Sequence, residues 1–181
     1  ITVEPVNDAP LAADDFASGD EDTPITGNVL DGSNGGLDTD PEGDALAVQA
    51  GVLSTAKGAA AALSSNGDFT YDSTNATALQ SLAVGEAATD SFTYVVTESH
   101  GLTDTATVTV TVHGVNDGPE ITFGGDVLGT VQEDLVATTT GQLSAMDIDN
   151  GATQSWSVAD SGAGTYGSLS VDGSGKWTYT L

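Results

Sequence analysis

Oxygen-bearing side chains recur at fixed intervals along this 181-residue chain. Val115-Asn116-Asp117-Gly118-Pro119 has a near-copy in Val6-Asn7-Asp8-Ala9-Pro10, 117 − 8 = 109 positions earlier. Each copy follows a strand-like run and ends on a proline, which cannot continue a sheet ladder. Glu21-Asp22 is matched by Glu133-Asp134, and Asp38-Thr39-Asp40 by Asp147-Ile148-Asp149. Carboxylate and amide oxygens suit a hard cation. Ca²⁺ takes about 6–8 oxygen ligands, so carboxylates must converge on it from several segments. A lone Asp-x-Asp reads as a solvated turn. The return of joint, Glu-Asp and Asp-x-Asp in one order, a domain length apart, reads instead as a joint that binds Ca²⁺ between consecutive β-sandwich modules.

Other chemistries fit less well. An EF-hand loop counted from Asp38 puts Gln49 where a bidentate Glu is needed, and one counted from Asp147 puts Val158 there. Gly162-Ala163-Gly164-Thr165-Tyr166-Gly167 has the GxGxxG pattern, but no helix follows it. Gly35-Gly36-Leu37-Asp38 hints at a Ca²⁺-binding nonapeptide, which occurs once where that fold needs a stack. His100 and His113 show no ligand spacing and read as surface residues. No Ser/His/Asp order surrounds a nucleophile turn. So many acids leave a glycosidase carboxylate pair open. Trp156, Trp177, Tyr166 and Tyr179 could stack on sugar rings. Trp177 and Tyr179, however, hold the repeat positions of Phe69 and Tyr71, at 177 − 69 = 108 residues, and so read as core.

Composition narrows the classes further. Two basic residues stand against 27 acidic ones, a net charge of −25. Lys57 and Lys176 cannot build the basic patch that nucleic acid requires, and anionic lipid is disfavoured for the same reason. Self-repulsion on this scale destabilises a compact state unless cations offset it. The apolar fraction of 38% and a regular Val/Thr alternation argue against disorder. There is no cysteine, so no disulfide framework or cysteine zinc site. No apolar run reaches the length of a membrane helix. The chain opens on strand-like residues rather than a signal peptide and reads as part of something longer.

The elements that must position these oxygens are short strands. Residues 1–5 read as the tail of a preceding module, and the acids at Asp14-Asp15 and 20–22 as a connecting stretch. Strands are expected over 25–30, 45–53, 67–71, 91–98 and 105–112, with 58–63 a strand or turn. In 105–112, Ala106, Val108, Val110 and Val112 alternate with threonines, the mark of a half-buried antiparallel strand. Residues 75–82 form the one expected helical turn, with Leu79 and Leu82 on a common side. The fold class is all-β: tandem Ig-like Greek-key sandwiches, the second lacking counterparts of the Phe92 and Val108 strands and so left with an open edge or gap.

Gly-Val-Asn-Asp-Gly-Pro (114–119), Glu-Asp-Thr-Pro (21–24), Asp-Thr-Asp-Pro-Glu-Gly-Asp (38–44), Leu-Gln-Ser-Leu-Ala-Val-Gly-Glu (79–86), Thr-Tyr-Gly-Ser-Leu (165–169) and Lys-Trp-Thr-Tyr-Thr-Leu (176–181) together resemble the VCBS-type repeats of large bacterial RTX-type surface adhesins, within the wider cadherin-like family. The resemblance implies a tail and linker in 1–8, one repeat in 9–114, a linker in 115–119 and a second, truncated repeat in 120–181. It implies Ca²⁺ at module junctions. Glu21 and Asp72 would reach the joint from the first module, Asn116 and Asp117 from the linker, and Asp147 and Asp149 from the second module. Asn7, Asp8, Asp38, Asp40 and Glu98 would form the corresponding N-terminal site. The chain departs from the family at Thr97-Glu98-Ser99-His100-Gly101, where such repeats more often carry Asp-Gly. At Asp72 it lacks a following acidic partner. The resemblance further implies a monomeric, non-enzymatic extender that acts with neighbouring repeats, exported by type I secretion to the cell surface to support adhesion or biofilm. The partner would be a polysaccharide or a host-surface ligand. The alternatives are a Ca²⁺-dependent lectin-like module and an accessory domain of a secreted polysaccharide-degrading enzyme.

Overall fold

A computed structural model describes residues 1–2, 4, 6–122 and 127–181. The chain divides into two units, Ile1–Asn116 and Asp117–Leu181.

The first unit is a sandwich of two four-stranded sheets. Its elements are β1 (Asp15–Asp20), β2 (Ile25–Asn28), β3 (Ala47–Val48), β4 (Gly51–Ser54), β5 (Ala60–Leu63), β6 (Asp68–Asp72), α1 (Thr77–Gln80), β7 (Ala87–Thr97) and β8 (Thr103–His113). One sheet has the order β1-β8-β7-β3 and the other β2-β6-β5-β4. The Val/Thr alternation sets β8: Ala106, Val108, Val110 and Val112 are buried while the threonines between them face outward. β7 runs antiparallel to it without a break, from Ala87↔His113 to Thr97↔Thr103. This places Phe92, Tyr94 and Val96 beside the β8 valines. The second sheet contributes Ile25, Ala61, Leu63, Phe69 and Tyr71 to the same core. Phe69 and Phe92 meet edge to face across the layers, 5.6 Å between ring centres. Leu79 of α1 and Leu82 just after it close one end, both buried.

Three expectations about elements need correction. Residues 45–53 are not one strand. β3 pairs with β7, whereas β4 pairs with β5 in the opposite sheet. The chain changes layer at this point after burying Val48. The helical turn is shorter than expected, Thr77–Gln80. The third correction is β1, which lies in the expected acidic connection yet pairs in parallel with β8, Asp15↔Val108 through Asp20↔His113. Its pattern is inverted, with the carboxyl of Asp15 buried and Phe16 exposed. The expected N-terminal tail strand falls partly outside the described residues.

The second unit contains β9 (Glu120–Thr122), β10 (Thr138–Gln142), β11 (Ser144–Met146), a 3₁₀ turn (Ala159–Gly162), β12 (Ser168–Val171) and β13 (Lys176–Thr180). Its sheets are β10-β13-β12 and β11-β9. The β12/β13 register repeats that of β5/β6. Ser168 faces Thr180 as Ala60 faces Asp72, and both members are displaced by 168 − 60 = 180 − 72 = 108 residues. In the first unit Phe69 and Tyr71 of β6 are buried under β7 and β8. In the second, Trp177 and Tyr179 line an apolar cleft of about 590 Å³ with Val131, Leu143, Leu169 and Val171. Among the described residues no helix is long and apolar enough to cross a membrane.

Candidate metal centres

The acids of the first unit sort into an interior group and two ends. At the N-terminal end the β7–β8 hairpin turns through Glu98–Leu102. The Glu98 N–H donates to the Leu102 carbonyl (3.1 Å) and the Gly101 N–H to the Glu98 carbonyl (3.1 Å). Gly101 sits at φ +94°, a conformation glycine tolerates without strain. The Glu98 side chain folds back over this turn and is wholly buried. Its Oε1 accepts the Leu102 N–H (2.8 Å) and the Asn7 side-chain amide (3.1 Å). Its Oε2 accepts the His100 N–H. Burial pushes this carboxyl up, but the N–H groups of His100 and Leu102, with Asn7 and the His100 ring, outweigh it and hold Glu98 below the usual carboxylate range.

The loop after Asp40 supplies the other side of this end. Asp40 Oδ1 accepts the N–H groups of Glu42 (2.9 Å) and Asp44 (3.0 Å), an Asx turn that fixes the loop. The turn brings Asp44 Oδ2 to 3.0 Å from His100 Nδ1, which is also 3.2 Å from Glu98 Oε2. Ser99 Oγ donates to the other Asp44 oxygen at 3.1 Å. The Asp8 N–H donates to Glu42 Oε2 at 3.1 Å. Hydrogen bonds to Glu98 and the charge of Asp44 raise the His100 pKa. Asp40 Oδ2 is buried and has no hydrogen-bond partner.

At the other end of the same unit Glu21 follows β1. Its N–H donates to the His113 carbonyl (3.0 Å), and its carbonyl accepts Ser73 Oγ (2.6 Å) and Gln80 Nε2 (2.8 Å). Its buried carboxylate reaches the exit of β8, where Oε1 accepts the Val115 N–H at 2.8 Å. Gly114 makes this exit possible, because a Cβ there would lie 2.3 Å from the carbonyl oxygens of Leu82 and Ala83. Asn116, the last residue of the unit, is exposed. Asp72 is engaged in its own turn. Its Oδ1 accepts Thr74 Oγ (2.6 Å) and the Thr74 N–H (3.0 Å), and these bonds lower its pKa.

In the second unit Asp117, Asp147 and Asp149 are joined by hydrogen bonds. The Asp117 N–H donates to Asp149 Oδ2 at 3.0 Å, and the Asp149 N–H to Asp147 Oδ1 at 3.1 Å. Asp149 Oδ1 is buried without a hydrogen-bond partner. A buried carboxylate oxygen with no donor is costly unless a cation or proton meets it. The donors here are all oxygen, which fits a hard cation such as Ca²⁺.

The structure separates the two halves of the first Asp-x-Asp. Asp40 belongs to the N-terminal loop. Asp38 turns into the core, where its Oδ1 accepts the Ala13 N–H at 2.7 Å and its carboxylate lies beside the Tyr94 hydroxyl. Asp15 lies against the same hydroxyl, at 2.9 Å. Of the expected N-terminal set, Asn7 joins Glu98 directly, Asp8 and Asp40 join the Glu42–Asp44 loop, and Asp38 does not take part. Sequence reading missed Asp44 and His100. Their signal was the Asp-x-x-x-Asp spacing of 40 and 44, which suits an Asx turn, and the five-residue hairpin that carries Glu98 and His100 together.

A family model described as bacterial cadherin-like domain matches residues 7–114. Among solved structures, the human desmocollin-1 ectodomain is similar at 16% identity with a TM-score of 0.45, over 98% of this chain and 32% of that one. Murine CEACAM1b is similar at 14% identity with a TM-score of 0.29, over 92% of this chain and 83% of that one. The chain thus spans 32% of the length of the desmocollin chain it matches. No curated protein matches it.

Proposed function

The chain belongs to the bacterial cadherin-like domain family, and from that premise we propose that it is a non-enzymatic extender of a secreted or cell-surface adhesin, made stiff by Ca²⁺ at its module junctions. The observation that carries this reading is Asp149. One of its oxygens accepts the Asp117 N–H, while the other is buried with no hydrogen-bond partner, next to the proline-ended joint.

In this reading residues 9–114 are one repeat, 115–119 the linker and 120–181 the start of the next. Asp147 and Asp149 hold the ion from the second repeat, Glu21 from the first, and Asn116 and Asp117 from the linker. Asp72 is left to its turn with Thr74. Asn7, Asp8, Asp40 and Glu98 lie at the other end of the first repeat and take no part in this joint. Bound Ca²⁺ neutralises clustered carboxylates and gathers their oxygens about one centre. The chain's own part is to keep those oxygens in place before the ion arrives. The Val115 N–H orients Glu21, and the Asp149 N–H orients Asp147. Extracellular modules of this kind bind Ca²⁺ with dissociation constants of about 10⁻⁴–10⁻³ M. Such binding stabilises the folded joint by mass action.

Calcium titration by calorimetry, paired with X-ray scattering in calcium and in chelator, tests the reading. The wild-type chain should bind Ca²⁺ and show a broader distribution of dimensions on chelation. The double variant D117N/D149N should lose that response while keeping its secondary structure. A wild-type chain whose scattering is indifferent to chelator has no calcium-stiffened joint.

A further inference from the structure

We propose that the N-terminal end of the first unit is a mixed nitrogen–oxygen metal site, built by Asp44, Glu98 and His100, that takes a borderline divalent cation such as Zn²⁺ or Ni²⁺ in preference to Ca²⁺. The proposal rests on reading this end as a metal site and is independent of calcium at the Asp117 joint.

The first argument is geometric. Asp44, Glu98 and His100 each offer one ligand atom, and the three atoms lie within 4.8 Å of one another. His100 Nδ1 is 3.0 Å from Asp44 Oδ2 and 3.2 Å from Glu98 Oε2. Donors at about 2.0–2.2 Å from a tetrahedral Zn²⁺ stand roughly 3.3–3.6 Å from each other. The two distances to His100 Nδ1 therefore come within a few tenths of an ångström of those a small cation requires.

The second argument is the donor type. Ca²⁺ and Mg²⁺ take oxygen, whereas imidazole suits Zn²⁺, Ni²⁺ and Cu²⁺. His100 places a nitrogen at the centre of what is otherwise an oxygen set. Its side chain is 63% exposed, so water can fill the fourth position.

The third argument is support behind the ligands. Glu98 is wholly buried and fixed by Leu102, His100 and Asn7. Asp44 is held through its N–H by Asp40 and through Oδ1 by Ser99, which leaves Oδ2 directed at the imidazole. Partners of this sort orient metal ligands, and losing one typically costs about 10–100-fold in affinity. His113, the other histidine, lies at the far end of β8 and opposite Asp20 of β1, and belongs to no such group among the described residues.

The test is Zn²⁺ titration into the full 181-residue chain, followed by calorimetry, with Ca²⁺ at saturation throughout. One Zn²⁺ should bind per chain. H100A should weaken it by about tenfold or more, H113A should leave it unchanged, and H100D should lose Zn²⁺ while gaining Ca²⁺ affinity at this end. Because His100 is largely exposed, thermal unfolding of the variants should match wild type and rule out a folding defect. Zn²⁺ binding that survives H100A, or no Zn²⁺ binding by the wild-type chain, overturns the proposal. Calcium binding lost in D117N/D149N but kept in H100A tests the joint separately, so either reading can fail alone.

Discussion

Two tyrosines in the core of the first unit each point a hydroxyl at a buried aspartate, and the surroundings of the two pairs are opposite. Asp90 on β7 is 4% exposed and is met by four donors: Thr55 Oγ1, the Tyr71 hydroxyl at 2.9 Å, the Lys57 N–H at 3.2 Å and the Ser91 N–H at 2.8 Å. Asp15 on β1 is 0% exposed and shares one Tyr94 hydroxyl with Asp38 and the Ala13 carbonyl, while its Oδ1 has no hydrogen-bond partner. A hydroxyl has one proton to give. The first site is built for a carboxylate, and the second holds more acceptors than donors. Burial, chiefly, and the nearby charges of Asp38, Asp14 and Asp31 push Asp15 up to about 6, against the lowering effect of the Tyr94 bond. A buried acid in this chain need not be a metal ligand. Donor supply decides whether it stays charged, takes a proton, or awaits a cation.

D90A leaves Thr55, Tyr71, Lys57 and Ser91 facing a void, and should cost about 3–4 kcal/mol in chemical denaturation at neutral pH. A loss under about 1 kcal/mol would mean that water replaces the carboxylate freely.

Asp15 should behave in the reverse sense. Its folded pKa lies above the ordinary value of 3.8, so the folded state holds the proton more tightly than the unfolded chain. The associated stability is complete below about pH 4 and is lost as pH rises through about 6. D15N keeps the shape without the charge. It should abolish that slope and raise stability at pH 7 by about 2 kcal/mol. Denaturation midpoints of wild type and D15N that run parallel between pH 4 and 7 would refute the shared-proton view.

The tyrosines give the smallest effects and sharpen the contrast. Y71F removes one donor of four and should cost about 1 kcal/mol. Y94F removes the one hydroxyl between two carboxyls, so its cost should grow with pH, by about 1–2 kcal/mol at neutrality. Equal pH profiles for the two variants would erase the distinction between the sites.

Much of the sandwich was legible because its strands obey a simple period. β8 needed only the Val/Thr alternation, and β6 the Phe69/Tyr71 pair with its echo at Trp177/Tyr179. β1 was not legible, because Asp15 takes the inward position and Phe16 the outward one, against hydrophobic patterning. Its partner β8 is long and apolar enough on its inner face to recruit it. Asp38 and Asp40 show the same limit at the candidate sites. Residues two apart share a face only on a flat strand. Here Thr39 pairs with Leu11, and the chain then turns at Pro41, so that Asp38 enters the core and Asp40 caps the loop to Asp44. Glu98 is pointed to by the family resemblance. Asp44 and His100 were passed over, because their meeting joins a loop and a hairpin 56 residues apart.

Local order alone settles the β class and the recurrence of residue patterns along the chain, since each depends on residue type and short spacing. Folding in three dimensions assigned each acid its company. Tyr94 and Asp15 are 79 positions apart, and Asn7 and Glu98 are 91 apart. A carboxyl's charge state follows from the donors and burial that such distant segments bring to it, and no pattern of neighbours along the chain encodes those.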